Sequence, residues 1–420
     1  MSGVVVLALV AACYAAVAAR LDRWSVGGPL VFMAAGALVG PAYLGMVDVT
    51  AGGHPMQLVT EATLALVLFS DASTLRLSQV ERDVGLPTRL LGVGLPLTIA
   101  LGTVAAYGLD SGVTWAAAGL VATVLAPTDA ALSLPVVTNT AVPARVRQML
   151  NVESGLNDGI VTPIVTVLLA VVAAEEGVQP GWLTEALRAI LVAVAVAAVV
   201  GGGGGWLLRT TARRGWTTDE SQELAVLALA GASYVGAVWL GGNGFVAAFV
   251  AGLLFAATGR GRFERATGFS ETTGVFLSFA VWALFGATLA GPVLREPWSW
   301  VAVSYAVLSL TVLRMLPVAL ALLGTGLRAA TVLFTGWFGP RGLASVVFLT
   351  LTVDELHLST DDLLVRTATW TILLSVVLHG LSARPLVQRY AATMRAHPDA
   401  TELVPGPEPR LRRRGLVGGA

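Results

Sequence analysis

The stretch Asn151-Val152-Glu153-Ser154-Gly155-Leu156-Asn157-Asp158-Gly159 sets three water-seeking groups, Glu153, Asn157 and Asp158, against an apolar run from Ile160 to Ala174. An ionised carboxylate at membrane depth costs about 3 kcal/mol or more unless partnered, so acids in such a place mark function. On a helix, residues four apart share a face, which puts Ser154 one turn below Asp158 and Glu153 one turn below Asn157. The Ser154/Asp158 stripe offers a hydroxyl and a carboxylate, the hard oxygen ligands that suit a small monovalent cation, and the same carboxylate can take a proton instead. The Glu153/Asn157 stripe can close an internal hydrogen bond that orients the helix. Each has a plainer reading: Asp158 as an interfacial residue just outside the bilayer, and Glu153 as a helix N-terminal charge favoured by the macrodipole.

Two further stretches bear on the same chemistry. Leu125-Ala126-Pro127-Thr128-Asp129 places a proline, a threonine and a carboxylate inside an apolar run, and Gly336-Trp337-Phe338-Gly339-Pro340-Arg341-Gly342 places glycines, a proline and an arginine inside another. Proline removes a backbone hydrogen bond and clashes with the preceding turn, so each helix should break. Broken helices at membrane depth are tolerated where they line a cavity or are buried in protein. A lone break is an ordinary proline kink; a carboxylate at one and a guanidinium at the other point to a transporter site. Arg341 cannot shed its proton and must find an acid or a set of carbonyls. Glu153 is the acid outside the Ser154/Asp158 stripe, so a Glu153 to Arg341 ion pair is expected, and Asp158 is left as the exchanging group. Arg314 either sits mid-span or snorkels.

The elements that must hold these residues are membrane helices. Of 420 residues, 55% are hydrophobic and only 12% charged, with a mean hydropathy of +0.77, whereas about a quarter of the residues of a soluble domain are charged. Spans are expected near 3–19, 29–46, 58–74, 86–108, 112–139, 149–175, 183–209, 221–240, 243–258, 269–291, 298–323, 328–353 and 362–385. The fold class is thus an all-α polytopic membrane protein of about 13 helices. The breaks fall in the fifth and twelfth spans, consistent with two six-helix units around a seventh. Val10-Ala11-Ala12-Cys13 resembles a lipoprotein cleavage box, but no positive region precedes it, so the first apolar run is taken as a helix. Cys13, the single cysteine, excludes an intrachain disulfide.

Charge supports the count. All the basic residues other than histidine are arginine. Alternate connections hold Arg20 and Arg23; Arg76, Arg82 and Arg89; Arg145 and Arg147; Arg209, Arg213 and Arg214; Arg260, Arg262 and Arg265; Arg328; and the tail from Arg384 to Arg414. The opposite set holds Arg188, Arg295 and Arg366 with Asp48, Asp110, Glu175, Glu176, Asp354, Glu355, Asp361 and Asp362. The positive-inside rule puts the N-terminus outside and the C-terminus in the cytoplasm.

With Asn157-Asp158 in the first stretch, Thr128-Asp129 in one broken helix and Gly339-Pro340-Arg341-Gly342 in the other, the chain resembles the monovalent cation/proton antiporters of the sodium/proton exchanger (NhaP-like) type. Gly28-Pro29 to Gly40-Pro41, Leu66 to Leu77 with Phe69 and Asp71, and Gly241-Gly242-Asn243-Gly244-Phe245 to Ala251-Gly252-Leu253 extend the likeness from about residue 20 to 385. The resemblance implies inverted six-helix repeats with two crossing broken helices. It also implies a dimerisation part (1–75 with 183–291), a transport bundle (86–175 with 298–385) and a short arginine-rich cytoplasmic tail at 386–420. It makes Asp158, Ser154, Thr128 and Asp129 the ion ligands, with Asp71 as a further one, although Ser70 and Ala72 depart from the glycine-rich pattern expected there. Glu153, Asn157 and Arg341 take supporting roles. Asn at 157 implies electroneutral exchange, one Na+ or Li+ for one proton, serving pH homeostasis at the cell membrane. The implied protein is a homodimer in lipid with no cofactor, no enzymatic activity and no nucleic-acid partner.

Two readings compete with sodium/proton exchange. A K+/H+ antiporter of the same fold would use the same ligand types, and a cation channel would use the same polar residues as a continuous pore, although pores favour rings of repeated ligands. An intramembrane enzyme would need a base or metal cluster, and His54, His357, His379 and His397 are scattered.

Overall fold

A computed structural model of the protein describes residues 2–47, 53–74, 85–110, 112–129, 131–175, 182–259, 263 and 266–404. Asp48, Arg76, Arg82, Glu176, Arg260, Arg262, Arg265, Arg410, Arg412, Arg413 and Arg414, which enter the charge reading, lie outside the described residues.

All regular structure among the described residues is helical. In chain order the helices are α1 (Ser2–Arg23), α2 (Gly28–Val39) and α3 (His54–Thr74). They continue as α4 (Gly85–Leu109), the half-helix α5 (Trp115–Val124), the short α6 (Leu134–Val137) and α7 (Ala144–Glu175). Next come α8 (Leu183–Arg213), α9 (Asp219–Trp239) and α10 (Gly244–Gly259), then α11 (Thr267–Arg295) and α12 (Trp300–Ala321). The chain ends in the half-helices α13 (Ala329–Trp337) and α14 (Leu343–Glu355), then α15 (Leu363–Arg395). Seven of them, α4, α7, α8, α9, α11, α12 and α15, are long and apolar enough to cross a membrane, and shorter apolar helices lie in α1, α2, α5 and α10. Each expected span finds its helix, and the two expected to break do so.

Local chemistry sets the ends. The Thr114 hydroxyl accepts the Ala117 N–H at the start of α5, Thr218 and Ser221 form a capping box on α9, and Ser299 accepts the Ala302 N–H on α12. Glycine sets the packing. A Cβ on Gly36 of α2 would lie 1.9 Å from the Ala283 carbonyl oxygen, and one on Gly286 would lie 2.0 Å from that of Met33, so α2 and α11 touch backbone to backbone. Gly252 likewise lets α10 approach α3, where its Cβ would lie 2.4 Å from the Phe69 carbonyl oxygen.

Contacts between helix ends follow the charge alternation. On one face Arg384 donates to the Arg23 carbonyl, Arg89 to that of Leu323 and Arg145 to that of Thr401. On the other, Thr114 donates to Glu175, Arg295 to the Ala42 carbonyl and Arg366 to that of Pro297. Beyond α15 the chain turns back in a single 3-10 turn, Thr401–Leu403. There Glu402, 1% exposed, accepts the Arg328 N–H at 2.8 Å and the Thr331 hydroxyl at 2.6 Å, capping the start of α13.

Candidate functional site

The two interruptions meet and complete each other. The stretch between α5 and α6 leaves the carbonyl of Ala126 without a helical donor, and the Arg341 guanidinium supplies one at 3.1 Å. The stretch between α13 and α14 leaves the Leu343 N–H at the start of α14, and the Asp129 carboxylate accepts it at 3.1 Å. The Asp129 N–H also donates to the Pro340 carbonyl at 2.9 Å. A cation therefore sits at a helix C-terminus and an anion at a helix N-terminus, the signs that the two helix dipoles favour.

This crossing explains the glycines of Gly339-Pro340-Arg341-Gly342. A Cβ on Gly342 would lie 2.0 Å from the Asp129 Cβ, and one on Gly339 would lie 2.5 Å from the Arg314 Nε. Each glycine makes room for a charged side chain arriving from another element.

Three polar side chains converge beside the crossing. The Thr128 hydroxyl lies 3.1 Å from that of Ser154 and accepts the Asn157 side-chain N–H at 2.6 Å. All three are buried: Thr128 at 2%, Ser154 at 7% and Asn157 at 1% exposure. The Asn157 side-chain oxygen finds no donor among the described residues. Asp158, half-buried, lies one turn beyond Ser154 on α7. The structure thus brings together Thr128, Ser154 and Asn157, and Asp158 lies on the helix that carries Ser154 and Asn157. Asp129 faces the α14 terminus, its other oxygen accepting the Ala131 N–H at 2.6 Å. Asp71, 4% exposed, lies near the end of α3, which packs against both α7 and α14. The oxygen donors present, two hydroxyls, a carboxamide and nearby carboxylates, are of the hard type that an alkali cation takes as transported substrate.

Two expectations are corrected. Glu153 pairs with Arg314 rather than Arg341, with the Arg314 Nη2 and Glu153 Oε1 2.6 Å apart and both side chains buried. Arg341 takes the alternative open to it, a set of carbonyls: Ala126 and, at 3.2 Å, Ser309. The reason is geometric, because Arg341 is consumed in closing the first interruption while Arg314 enters over Gly339 toward α7. Likewise Asn157 does not turn back to Glu153 along the helix; its side chain reaches across to Thr128. Arg314 is placed in the core at 2% exposure, settling its two readings.

Sequence reasoning missed Ser375 and His379 of α15, which bond the backbone of the second interruption. A lone histidine on an apolar helix carries no local signal of such a role. It also missed Glu402, because an arginine-rich tail gives no hint that one acid in it is buried.

Among known structures, the fold is similar to that of the sodium proton antiporter MjNhaP1 from Methanocaldococcus jannaschii at pH 8, with a TM-score of 0.75 and 20% identity over 93% of this chain and 100% of that one. An electron-microscopy structure of MjNhaP1 gives a TM-score of 0.72 and 19% identity, covering 93% of this chain and 97% of that one. No curated protein sequence matches this one. The model of the sodium/hydrogen exchanger transmembrane family matches residues 5–389. A multi-pass helical chain with interlocked broken helices and a family match across nearly its whole length leaves one assignment: the protein belongs to the sodium/hydrogen exchanger family, membrane transporters that exchange sodium for protons.

Proposed function

We propose that the protein exchanges one Na+ or Li+ for one proton across the cell membrane, with cation and proton competing for Asp158. The observation that carries this reading is the buried hydroxyl and carboxamide cluster of Thr128, Ser154 and Asn157 beside two interrupted helices, with Asp158 one helical turn from Ser154. Ser154, Thr128 and Asp158 supply the ligands. Asp129 and Asp71 add negative charge, and the Asp129 carboxylate keeps lone pairs beyond those it gives to Ala131 and Leu343. Glu153 is held by Arg314 and so stays out of the exchange.

The helices within 86–175 and 298–385 act as the moving bundle, tied internally by the contacts of Arg341, Asp129 and Glu153. Those within 1–75 and 183–291 act as the dimerisation part, tied internally by the glycine contacts of α2 with α11 and α3 with α10. A second copy of the chain is the partner, and the N-terminus lies outside, as the arginine distribution favours. If the bundle moves only when Asp158 is neutralised by one ion or the other, coupling is obligatory.

The test is a pH dye trapped in proteoliposomes, with Na+, Li+ or K+ added in turn. Wild type is expected to answer to Na+ and Li+, with an apparent KM that falls about tenfold per pH unit on the acid limb, because the ligand must lose its proton to bind. Clamping the membrane potential should leave the rate unchanged. Asp158→Asn should be silent while eluting as folded protein; a variant that still exchanges would refute the assignment.

A further inference from the structure

The interruption between α13 and α14 leaves backbone groups that no helix satisfies, and two of them are met from one turn of α15. The Arg341 N–H donates to the Ser375 hydroxyl at 2.7 Å. The Trp337 carbonyl lies 2.8 Å from the His379 Nε2. His379 is 2% exposed and stacks on the Trp337 indole, ring centroids 5.0 Å apart. The indole N–H in turn donates to the Ser382 hydroxyl at 2.9 Å.

Donor and acceptor logic places one hydrogen on the ring. A carbonyl only accepts, so Nε2 carries the hydrogen. Nδ1 lies 2.9 Å from the Ser375 carbonyl and 3.3 Å from the Ser375 hydroxyl. With Nδ1 unprotonated the Ser375 hydroxyl turns its hydrogen toward the ring, and with Nδ1 protonated the ring donates to the Ser375 carbonyl. In both cases Ser375 and His379, one turn apart on α15, hold the Arg341 N–H and the Trp337 carbonyl, the two sides of the interruption. The charged groups that act on the ring are the guanidinium groups of Arg341 and Arg314. Glu153 offsets Arg314, so a cationic imidazole would stand with Arg341 as a second uncompensated positive charge at a buried place, at a high cost in free energy.

We propose that Ser375 and His379 are positioning residues for the exchange reaction, a clasp that works with the imidazole uncharged. It holds residues 338–342 in the one geometry that lets Arg341 close the first interruption and Asp129 cap α14. The proposal rests on the reading that the crossing frames the ion site.

The experiment compares His379→Leu, His379→Gln and Ser375→Ala in the full-length protein by two readouts. One is amide hydrogen exchange across residues 337–343; the other is sodium-driven proton exchange as a function of pH. His379→Leu takes one of two donors from the Trp337 carbonyl, which keeps the Gly339 N–H at 2.8 Å, and Ser375→Ala takes the side-chain acceptor from the Arg341 N–H; each should speed amide exchange about tenfold and lower the maximal transport rate by a similar factor. Glutamine can donate to the Trp337 carbonyl without titrating, so His379→Gln should restore both readouts and reproduce the wild-type pH profile. Wild-type amide protection in His379→Leu and Ser375→Ala would overturn the clasp. A His379→Gln profile displaced from that of wild type would overturn the uncharged role and make the ring a titrating group. Amide exchange tests the clasp without transport, so a wild type that moves no protons would sink the antiport reading alone.

Discussion

Glu153 and Arg314 show how a buried charge is made tolerable. The pair is 2.6 Å apart with both side chains almost wholly excluded from solvent, and removing one partner strands the other. Glu153→Gln is therefore expected to destabilise the detergent-purified protein by about 3 kcal/mol. In an Arg314→Leu background the same substitution should cost less, with a coupling on the order of 2 kcal/mol in a double-mutant cycle. Repeating the cycle with Arg341 in place of Arg314 should give additivity, and a large coupling there would restore the Glu153 to Arg341 pair. The residue types of the site were legible in the sequence, since hydroxyls and acids four apart on an apolar helix declare themselves. Partner choice was not: Arg314 and Arg341 are both lone arginines in apolar spans, and only the crossing shows that one of them is already committed to carbonyls.

For the helical elements, the two interruptions behave as one unit. Pro127 and the Gly339-Pro340 pair announced the breaks through backbone chemistry alone, and the opposite charges of Asp129 and Arg341 announced that the breaks concern each other. What the sequence withheld was the exchange of caps, which depends on where two distant segments cross. Gly342 tests it. Its Cβ would fall 2.0 Å from that of Asp129, so Gly342→Ala must push the crossing apart, costing about 1–3 kcal/mol as overpacking does. Gly92→Ala, at a position where an added Cβ meets nothing within 4 Å, is the control. The first variant should lose exchange and melt earlier in a thermal unfolding assay, while the second keeps both. Equal behaviour of the two would show that the close approach at Gly342 is unimportant.

The whole molecule is closed by its returning tail. Glu402 accepts from Arg328 and Thr331, Thr401 donates to the Gly326 carbonyl at 2.9 Å, and Thr331 also meets the Tyr390 hydroxyl at 2.9 Å. Burial alone would raise the Glu402 carboxyl, but the bonds from the Thr331 hydroxyl and the Arg328 N–H outweigh it and hold it below the ordinary value of 4.5. A carboxyl held low contributes stability that is present above the unfolded value and is lost as the pH falls through the folded one. Glu402→Ala should therefore lower the melting temperature near neutrality by the equivalent of about 1 kcal/mol, as the loss of a helix cap does. The gap to wild type should narrow as the pH drops below 4.5; a gap independent of pH would mean that the carboxylate charge is not what holds the tail. A practical rule follows for anyone handling this protein. A purification handle or fluorescent reporter belongs after Val404, because cutting the chain back to Arg395 would strip the plug from the mouth of α13, and rates measured on the shortened protein would describe a looser machine.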